Sequence, residues 1–404
     1  MVTLILNGAD ITCEVAPAII FYRVYECGSA DTETATRAVD TSAAGANILI
    51  ADGTENTVTG SYVARIYKPG TVVLNTAGTE VEDAKKLHKY DGAVYSKMSM
   101  NVDGGPAGTG VLTIWAENEG LDTELHLTVN GGILRIFSGN DGINTNEDGV
   151  SVTTVNGGEV HIRVTGETGE GDGIDSNGWL VINGGTVTAQ ACAVSADAGI
   201  DSDMGIHING GTVIAAGSML DRIEDGGQTY AVFNFAGKQS GEVLTLRNEQ
   251  GGAVMEFCPE NGCSVLIFSS PDLTAGTYTL HSGDTLLAGQ SGGMTGPGMG
   301  MAGMRPDGGE IPQRPEGGKW PEGMTPPEGA EPPAGMERPD GGKWPEGMMP
   351  PNDTERPEGG KWPEGGRGDR PGQNGGMTGE RSAEFPITDG GNLFGSVAPA
   401  ESAS

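Results

Sequence analysis

The stretch that decides the fold is DGIDSNGWLVINGGTV, residues 172–187. It carries two short motifs, Gly-Ile-Asp at Gly173 and Asn-Gly-Gly at Asn183. Apolar residues such as Ile182 and Val187 alternate with polar ones around the second motif, which is typical of a strand with one buried face. A Gly-Gly pair gives the backbone the freedom to turn a corner. The stretch therefore predicts strand, corner and strand, without a helix.

Both motifs recur along the chain. Asn-Gly-Gly occurs at spacings of 26, 27 and 26 residues, at Asn130, Asn156, Asn183 and Asn209. The second motif precedes these copies, at Gly120-Leu121-Asp122, Gly142-Ile143-Asn144, Gly173-Ile174-Asp175 and Gly199-Ile200-Asp201. Two motifs in fixed register indicate a solenoid in which each repeat is one coil. A leucine-rich repeat would need a helix in each repeat, and a propeller blade would be longer, at roughly 40 residues.

The prediction is an all-β fold, a right-handed single-stranded parallel β-helix over residues 1–288, with one helical stretch near 81–90. Stacking places equivalent positions of neighbouring coils about 4.8 Å apart. The four Asn residues of the Asn-Gly-Gly motif are then expected to form an internal ladder, in which the side-chain amides bond along the stack and satisfy buried polar groups. The chain opens directly on a strand pattern, so an upstream segment with a signal peptide is expected.

Composition changes sharply after residue 288. Residues 289–381 consist mostly of Gly, Pro, Met, Glu, Lys and Trp, with a repeated decapeptide that begins at Arg314, Arg338 and Arg356. The segment has a single branched aliphatic residue, Ile311, and cannot bury a core, so we expect a disordered Gly/Pro/Met-rich insertion with polyproline character. We expect this segment either to serve as a spacer or to contact glycan or cell wall through its Trp residues. Residues 382–404 are predicted to return as strands that dock on the end of the rod.

Charge and cysteine content exclude several classes of function. The net charge of −32 repels nucleic acid and anionic membranes and favours cations as partners. No run of 18 apolar residues exists, which predicts no membrane insertion. Five cysteines without a Cys-x-x-Cys pair argue against a disulfide framework.

Acidic residues align when the coils are stacked. Our candidate metal ligands are Asp141, Asp172, Asp175, Asp201 and Asp203, which surround the Gly-Ile-Asp copies. Carboxylates about 5 Å apart repel one another unless a cation neutralises them. Calcium takes six to eight oxygen ligands, which carboxylates and Asn carbonyls supply. The alternative is a solvated acidic face without a bound ion.

Aromatic side chains on outward strand positions are candidates for carbohydrate binding, because sugars stack on aromatic faces. They are Trp115, Trp179 and Tyr95. His126, His161 and His207 also fall on outward positions, where surface histidines are more common than metal ligands.

Several of these motifs resemble a known family. Asn140-Asp141-Gly142-Ile143-Asn144, Asp172-Gly173-Ile174-Asp175-Ser176 and Ile182-Asn183-Gly184-Gly185-Thr186-Val187 are similar to the clostridial, hence bacterial, carbohydrate-binding β-helix family. Its members resemble calcium-dependent polysaccharide lyases in fold but are described as binding cellulose and acidic sugars. The resemblance, over about residues 1–288, implies a secreted or cell-surface protein with calcium on the Asp face and a polysaccharide ligand. Asn144 replaces Asp in one coil, which weakens a site there.

Three functions remain open from the sequence. The first is a non-catalytic, calcium-containing protein that binds plant cell-wall polysaccharide of the cellulose or pectin type. The second is a calcium-dependent pectate lyase, which would need a Lys or Arg base beside the metal. Only Arg135, Arg163 and Arg222 lie between Lys97 and Lys238, and the first two are expected to face outward on a different strand from the acidic residues. The third is a structural or adhesive surface rod.

Overall fold

The computed structural model describes residues 1–62, 67–68, 70–79, 81–83, 90–166, 168–292 and 380–400. The chain separates into one unit of residues 1–302 and 376–404 and a second unit of residues 303–375. Every described residue belongs to the first unit. These residues form strands and no helix, which confirms the all-β prediction, and hence none of them forms a helix that could cross a membrane.

The strands are numbered in chain order. They are β1 (Val2–Leu6), β2 (Asp10–Thr12), β3 (Ile19–Phe21), β4 (Ala46–Ile50), β5 (Glu55–Gly60), β6 (Val73–Leu74), β7 (Val81–Asp83), β8 (Gly92–Ser96), β9 (Met100–Gly104), β10 (Val111–Ala116), β11 (Glu119–Thr123), β12 (Leu127–Val129), β13 (Ile133–Ser138), β14 (Ile143–Thr145), β15 (Val152–Val155), β16 (Glu159–Val164), β17 (Ile174–Ser176), β18 (Trp179–Ile182), β19 (Thr186–Gln190), β20 (Ile206–Ile208), β21 (Thr212–Gly217), β22 (Tyr230–Gln239), β23 (Leu244–Asn248), β24 (Ala253–Phe257), β25 (Cys263–Ser269), β26 (Gly276–Ser282), β27 (Thr285–Ser291), β28 (Phe385–Ile387) and β29 (Gly391–Pro399).

Three sheets contain nearly all of these strands. The first sheet has the order β1-β4-β9-β12-β15-β18-β20, and the third sheet has the order β17-β14-β11-β8-β3. The second sheet runs β2-β5-β10-β13-β16-β19-β21 and continues as β25-β22-β29-β27-β26-β23-β24, with β28 beside β26. The first and third sheets and the second as far as β21 are parallel throughout. Apart from β6 and β7, which pair with each other, the strands from β3 to β19 follow one rule: each repeat supplies one strand to the third sheet, then one to the first and one to the second.

Equivalent apolar residues of successive repeats lie side by side and form the main core. Leu134 pairs with Val160, which pairs with Val187 and then Val213, and all four are buried. Val129, Val155, Ile182 and Ile208 form the matching row of the first sheet. Burial of each such side chain stabilises the fold by about 1.5–3 kcal/mol. The repeat period in the sequence therefore corresponds to one continuous stack of side chains.

The parallel arrangement ends at β21, where β25 pairs antiparallel. The strands beyond it enclose a second core, in which Phe233, Phe268, Phe385 and Phe394 contact one another. Two of these residues come from the C-terminal segment, because β29 lies between β22 and β27 and β28 pairs with β26. The C-terminal residues thus extend the second sheet beside β22, which lies about 160 residues earlier in the chain.

A long loop, residues 22–45, connects β3 to β4 and covers part of the outer face of the first sheet. Asn101 Nδ2 donates to the Thr41 carbonyl at 2.8 Å, and Thr41 Oγ1 donates to Thr128 Oγ1 at 2.7 Å. Outward residues of this sheet, Asn47, Asn101 and Thr128, are therefore buried. His126, predicted to lie at the surface, is buried as well, because Gly28 of the same loop contacts its ring.

Two sequence predictions need correction here. The helix expected at 81–90 is wrong at its start, since Val81–Asp83 form β7 and pair with β6, while residues 84–89 lie outside the described part. Strand β27 continues to Ser291, three residues past the expected end of the β-domain. Most of the segment predicted to be disordered, 293–379, lies outside the described residues. The five cysteines, all described, are unpaired.

Candidate functional site

The aspartates of the Gly-Ile-Asp motif lie in one row of the third sheet. Asp122 pairs with Asn144, and Asn144 pairs with Asp175. The row continues to Asp201, whose backbone N–H donates to the Ile174 carbonyl at 2.7 Å. A second row precedes each glycine and contains Glu119, Asp141 and Asp172, as the backbone bonds of the following glycines show. We call these side chains together the acidic strip: Glu119, Asp122, Asp141, Asn144, Asp172, Asp175 and Asp201.

Glycine holds the rows of the acidic strip close together. A Cβ on Gly173 would overlap the carbonyl oxygen of Gly199, and a Cβ on Gly142 would lie 2.6 Å from the carbonyl oxygen of Gly173. Any larger residue would push the adjoining repeats apart, because real Cβ atoms do not approach oxygen so closely. The glycine of each motif thus sets the spacing at which the carboxylates meet.

The acidic strip is largely buried, which the sequence did not indicate. Asp122 is fully buried, Glu119, Asp141 and Asp175 are less than one tenth exposed, and Asp172 and Asp201 are half-buried. Desolvation, followed by repulsion from nearby acids, raises the pKa of Glu119, Asp122 and Asp172 well above the ordinary range. The same causes raise the pKa of Asp201 to about 7. Ionisation of the strip at neutral pH is therefore costly unless positive charge offsets it.

Hydrogen bonds satisfy only part of the strip. Asn146 Nδ2 donates to Asp122 Oδ1 at 2.5 Å, and the backbone N–H of Asp172 donates to Asp141 Oδ1 at 2.7 Å. Asn144 Nδ2 donates to Glu119 Oε1 at 3.1 Å. Two oxygens of this pair are buried without a hydrogen-bond partner, Glu119 Oε2 and Asn144 Oδ1. A buried acceptor left unpaired costs about 1–3 kcal/mol, and more when it is charged.

The five predicted metal ligands are only partly brought together. Asp141, Asp172, Asp175 and Asp201 belong to the acidic strip, whereas Asp203 is exposed and lies two positions further along, beside Ser176. Within the described ranges, no three His, Cys, Asp or Glu side chains converge as a metal site. The donor chemistry nevertheless fits a hard cation at Glu119 and Asn144, where two buried oxygens lack partners. Sequence reasoning aligned Glu119, Asp122 and Asn144 but did not select them.

The aromatic candidates occupy different surfaces. Trp115 is 46 % exposed on the second sheet and stacks on Phe137, with ring centroids 4.2 Å apart and planes 12° apart. Trp179 is half-buried on the first sheet. Tyr95 lies in the row of the acidic strip but is 1 % exposed, and its hydroxyl donates to Glu124 Oε1 at 2.7 Å. The expected stacking of a sugar on Tyr95 is therefore wrong, because no face of the ring is open.

The arginines lie away from most of the strip. Arg135 and Arg163 belong to the second sheet, and Arg163 Nη1 donates to Glu260 Oε2 at 2.6 Å. Arg222 pairs with Glu224. Burial raises the pKa of Asp221, and backbone hydrogen bonds and the charge of Arg222 offset part of that increase. Asp221 in turn raises the pKa of Asp201. Arg222 thus lies close to Asp221, which neighbours the end of the acidic strip at Asp201.

The asparagines of Asn-Gly-Gly form the expected ladder, in an unexpected environment. Asn209 Nδ2 donates to Asn183 Oδ1, Asn183 to Asn156 and Asn156 to Asn130, at 2.8–2.9 Å. Asn130 Nδ2 then donates to Asp103 Oδ1 at 2.9 Å. All four Asn residues are exposed, so the prediction that the ladder is internal is wrong. At each corner the second glycine after the Asn adopts a positive φ, as at Gly185 (78°).

Comparison with known proteins gives one match. A family model described as "Carbohydrate-binding domain-containing protein" matches residues 1–232. This range covers the parallel repeats and includes the acidic strip and the asparagine ladder. No curated protein and no solved structure matches the chain.

Proposed function

The chain belongs to the carbohydrate-binding domain-containing protein family, and we propose that it is a non-catalytic, calcium-containing protein that binds plant cell-wall polysaccharide outside the cell. The observation that carries the proposal is the buried acidic strip within the region that the family covers. Burying ionised carboxylates without a counter-charge costs free energy, and a bound cation would offset that cost.

We further propose that the three parallel sheets are the faces of a right-handed parallel β-helix. Each strand reaches its neighbour in the same sheet only after the chain has contributed a strand to each of the other two sheets, as from β10 through β11 and β12 to β13. Connections between parallel strands of one sheet are right-handed in nearly all proteins. The acidic strip and the asparagine ladder would then run along this helix on adjoining faces.

The calcium-binding role rests on the chemistry of the donors. Glu119 Oε2 and Asn144 Oδ1 would hold the ion, with Asp122 adjacent to them in the same strip. At the half-buried end, Asp172 and Asp201 with Asp175 form a second candidate set. Calcium bound at this half-buried end would supply positive charge for the carboxylate of an acidic sugar, because Asp172 and Asp201 are partly open to solvent. The protein's own contribution is to hold the oxygens in place and to exclude water from them.

Exposed aromatic residues support sugar binding on another surface. Trp115, rigidly stacked on Phe137, presents an open indole face, and such faces pack against sugar rings. A pectate lyase is the alternative, and it would need an arginine base beside the ion. The arginine nearest to this requirement, Arg222, is already paired with Glu224. The non-catalytic function is therefore the one that the side chains favour.

The experiment is calcium titration and polysaccharide binding of the full chain and two matched variants. Glu119→Gln removes the unpaired buried carboxylate oxygen, whereas Glu159→Gln makes the same change at an exposed carboxylate on the second sheet. We expect the wild type and Glu159→Gln to bind calcium and polygalacturonate, and Glu119→Gln to lose the calcium ion held by Glu119 and Asn144 while the ion at Asp172 and Asp201 remains. Retention of polygalacturonate should depend on calcium in the wild type.

Two outcomes would contradict the proposal. Equal calcium binding by all three proteins would remove Glu119 and Asn144 as a calcium site. Failure of the wild type to bind any polysaccharide, with or without calcium, would overturn the binding function itself. An increase in ultraviolet absorbance on incubation with polygalacturonate, from unsaturated product, would instead establish a lyase.

A further inference from the structure

A groove lies over the asparagine ladder, away from the acidic strip. Its volume is about 390 Å³, within the range of small-ligand sites. The four ladder asparagines form its floor, together with outward residues of the first sheet such as Thr154. Residues 37–42 of the loop between β3 and β4 form one wall. The groove thus runs across several repeats, parallel to the ladder.

The wall is attached to the sheet at both ends. Near its C-terminal end, Thr41 is buried and bonded to Thr128 and Asn101. At its N-terminal end, Arg37 Nη1 lies 3.4 Å from His207 Nε2, on the outer row of the first sheet. Burial and the charge of Arg37 lower the pKa of His207, which keeps the ring neutral and able to accept a hydrogen bond. The groove is therefore a formed feature, since both ends of the wall are held.

The floor offers the same hydrogen-bonding groups at regular intervals. A side-chain amide has two N–H donors and an oxygen with two lone pairs. Along the ladder each of Asn156 and Asn183 uses one donor and one lone pair. Because both side chains are exposed, the second N–H and the second lone pair of each are open to a ligand. Successive repeats place these groups about 4.8 Å apart, a spacing suited to a polymer with regularly repeated hydroxyl groups.

The charge of the groove distinguishes between classes of glycan. The floor is uncharged, and the wall carries one positive and one negative side chain, Arg37 and Asp40. Asp103 ends the ladder at Asn130 and adds a further negative charge there. An anionic polysaccharide would meet Asp40 and Asp103 without a surplus of positive charge. A neutral glycan would meet amides, hydroxyls and two charged groups that bind hydroxyls well.

From these features we infer that the groove over the asparagine ladder binds a neutral glucan chain that runs along the ladder, at a site separate from the acidic strip. This inference rests on the proposed polysaccharide-binding function and assigns its neutral, cellulose-type ligand to a definite groove on the surface. The acidic strip takes anionic glycan through calcium, and the groove takes neutral glycan without a metal. A protein with both sites would bridge two components of a cell wall.

The test measures binding of cellohexaose and hydroxyethyl cellulose to the full chain in the presence of chelator. Asn183→Ala removes floor amides and Arg37→Ala removes part of the wall, while Arg135→Ala, an exposed arginine on the second sheet, is the matched control. We expect loss of two amide contacts in Asn183→Ala to weaken glucan binding about tenfold, with a smaller loss in Arg37→Ala and none in Arg135→Ala. Far-ultraviolet circular dichroism and melting temperature check that each variant is folded.

Binding of polygalacturonate with calcium separates this inference from the proposed function. We expect Asn183→Ala and Arg37→Ala to retain it fully. Unchanged glucan affinity in both variants would overturn the assignment of the groove, as would loss of glucan binding on Trp115→Ala alone, which would place the neutral glycan on that indole. A wild type that binds polygalacturonate but no glucan would also refute the inference, while leaving the proposed function intact.

Discussion

Gly173 illustrates how a single residue sets the geometry of the acidic strip. A Cβ at this position would overlap the carbonyl oxygen of Gly199 and lie 2.8 Å from Cβ of Ala189. The backbone of one repeat therefore passes directly over the backbone of the next. We expect Gly173→Ala to destabilise the protein by about 1–3 kcal/mol through overpacking, measured by urea denaturation.

The control for that substitution is Gly237→Ala. Gly237 lies in strand β22, and a Cβ on this residue would meet no atom within 4 Å beyond its chain neighbours. Alanine there is expected to change the free energy of unfolding by less than about 0.5 kcal/mol, as at most surface positions. Equal effects of the two substitutions would show that close contact between repeats is not the cause.

Asp122 shows, in a single side chain, that burial makes ionisation of the acidic strip unfavourable. It is fully buried, and its pKa is raised by desolvation and then by Glu124 and Asp91. Asparagine keeps the acceptor that Asn146 uses and removes the charge. In chelator at pH 8 we expect Asp122→Asn to stabilise the fold by roughly 1–3 kcal/mol, as replacement of buried charge often does. A decrease in melting temperature under these conditions would contradict the view that the strip is strained without a cation.

At the scale of strands, the second core depends on a segment distant in sequence. Phe394 of β29 is 2 % exposed and contacts Phe233 and Phe385, with ring centroids 5.4 and 4.9 Å away. Truncation to alanine leaves a cavity between β22 and β28, so we expect Phe394→Ala to cost about 3–5 kcal/mol. Thermal denaturation of this variant measures it, and exposed Val243→Ala is the control. A loss below about 1 kcal/mol would mean that the C-terminal strands contribute little to this core.

The sequence predicted correctly those elements whose motifs recur at a regular spacing along the chain. The rows of Asn130 to Asn209 and of Asp122 to Asp201 follow from motif spacing, because parallel pairing preserves register from repeat to repeat. Which residues are buried was harder to predict from the sequence. His126 is buried by a loop from another part of the chain, and the asparagine ladder is exposed rather than internal. The antiparallel strands after β21 have no period, so the sequence predicted that residues 382–404 return as strands but not which strands they pair with.

The whole molecule combines a strongly acidic chain with carboxylates that resist ionisation. The net charge is −32, yet Glu119, Asp122, Asp172 and Asp201 hold protons more tightly in the folded state than in the unfolded chain. Folding is therefore linked to pH. Under the proposed function, a bound cation would compete with protons for the same oxygens. Calcium should stabilise the fold most at high pH, where the carboxylates are ionised.

The pH dependence of stability follows from these shifts. Asp201 has a folded pKa of about 7 against an ordinary value of 3.8, so the native state binds more protons than the unfolded state between these limits. Its contribution is fully present below about pH 4 and is lost as pH rises through 7. Buried His126 acts in the opposite sense, because its lowered pKa favours folding at higher pH.

The informative measurement is therefore a difference, the melting temperature of Asp201→Asn minus that of the wild type in chelator. We expect this difference to increase between pH 5 and pH 8 and to shrink when calcium is added to the wild type. A difference that stays constant across this range would mean that Asp201 titrates as an ordinary surface carboxylate, and calcium would then have no strained charge to relieve at that end of the strip.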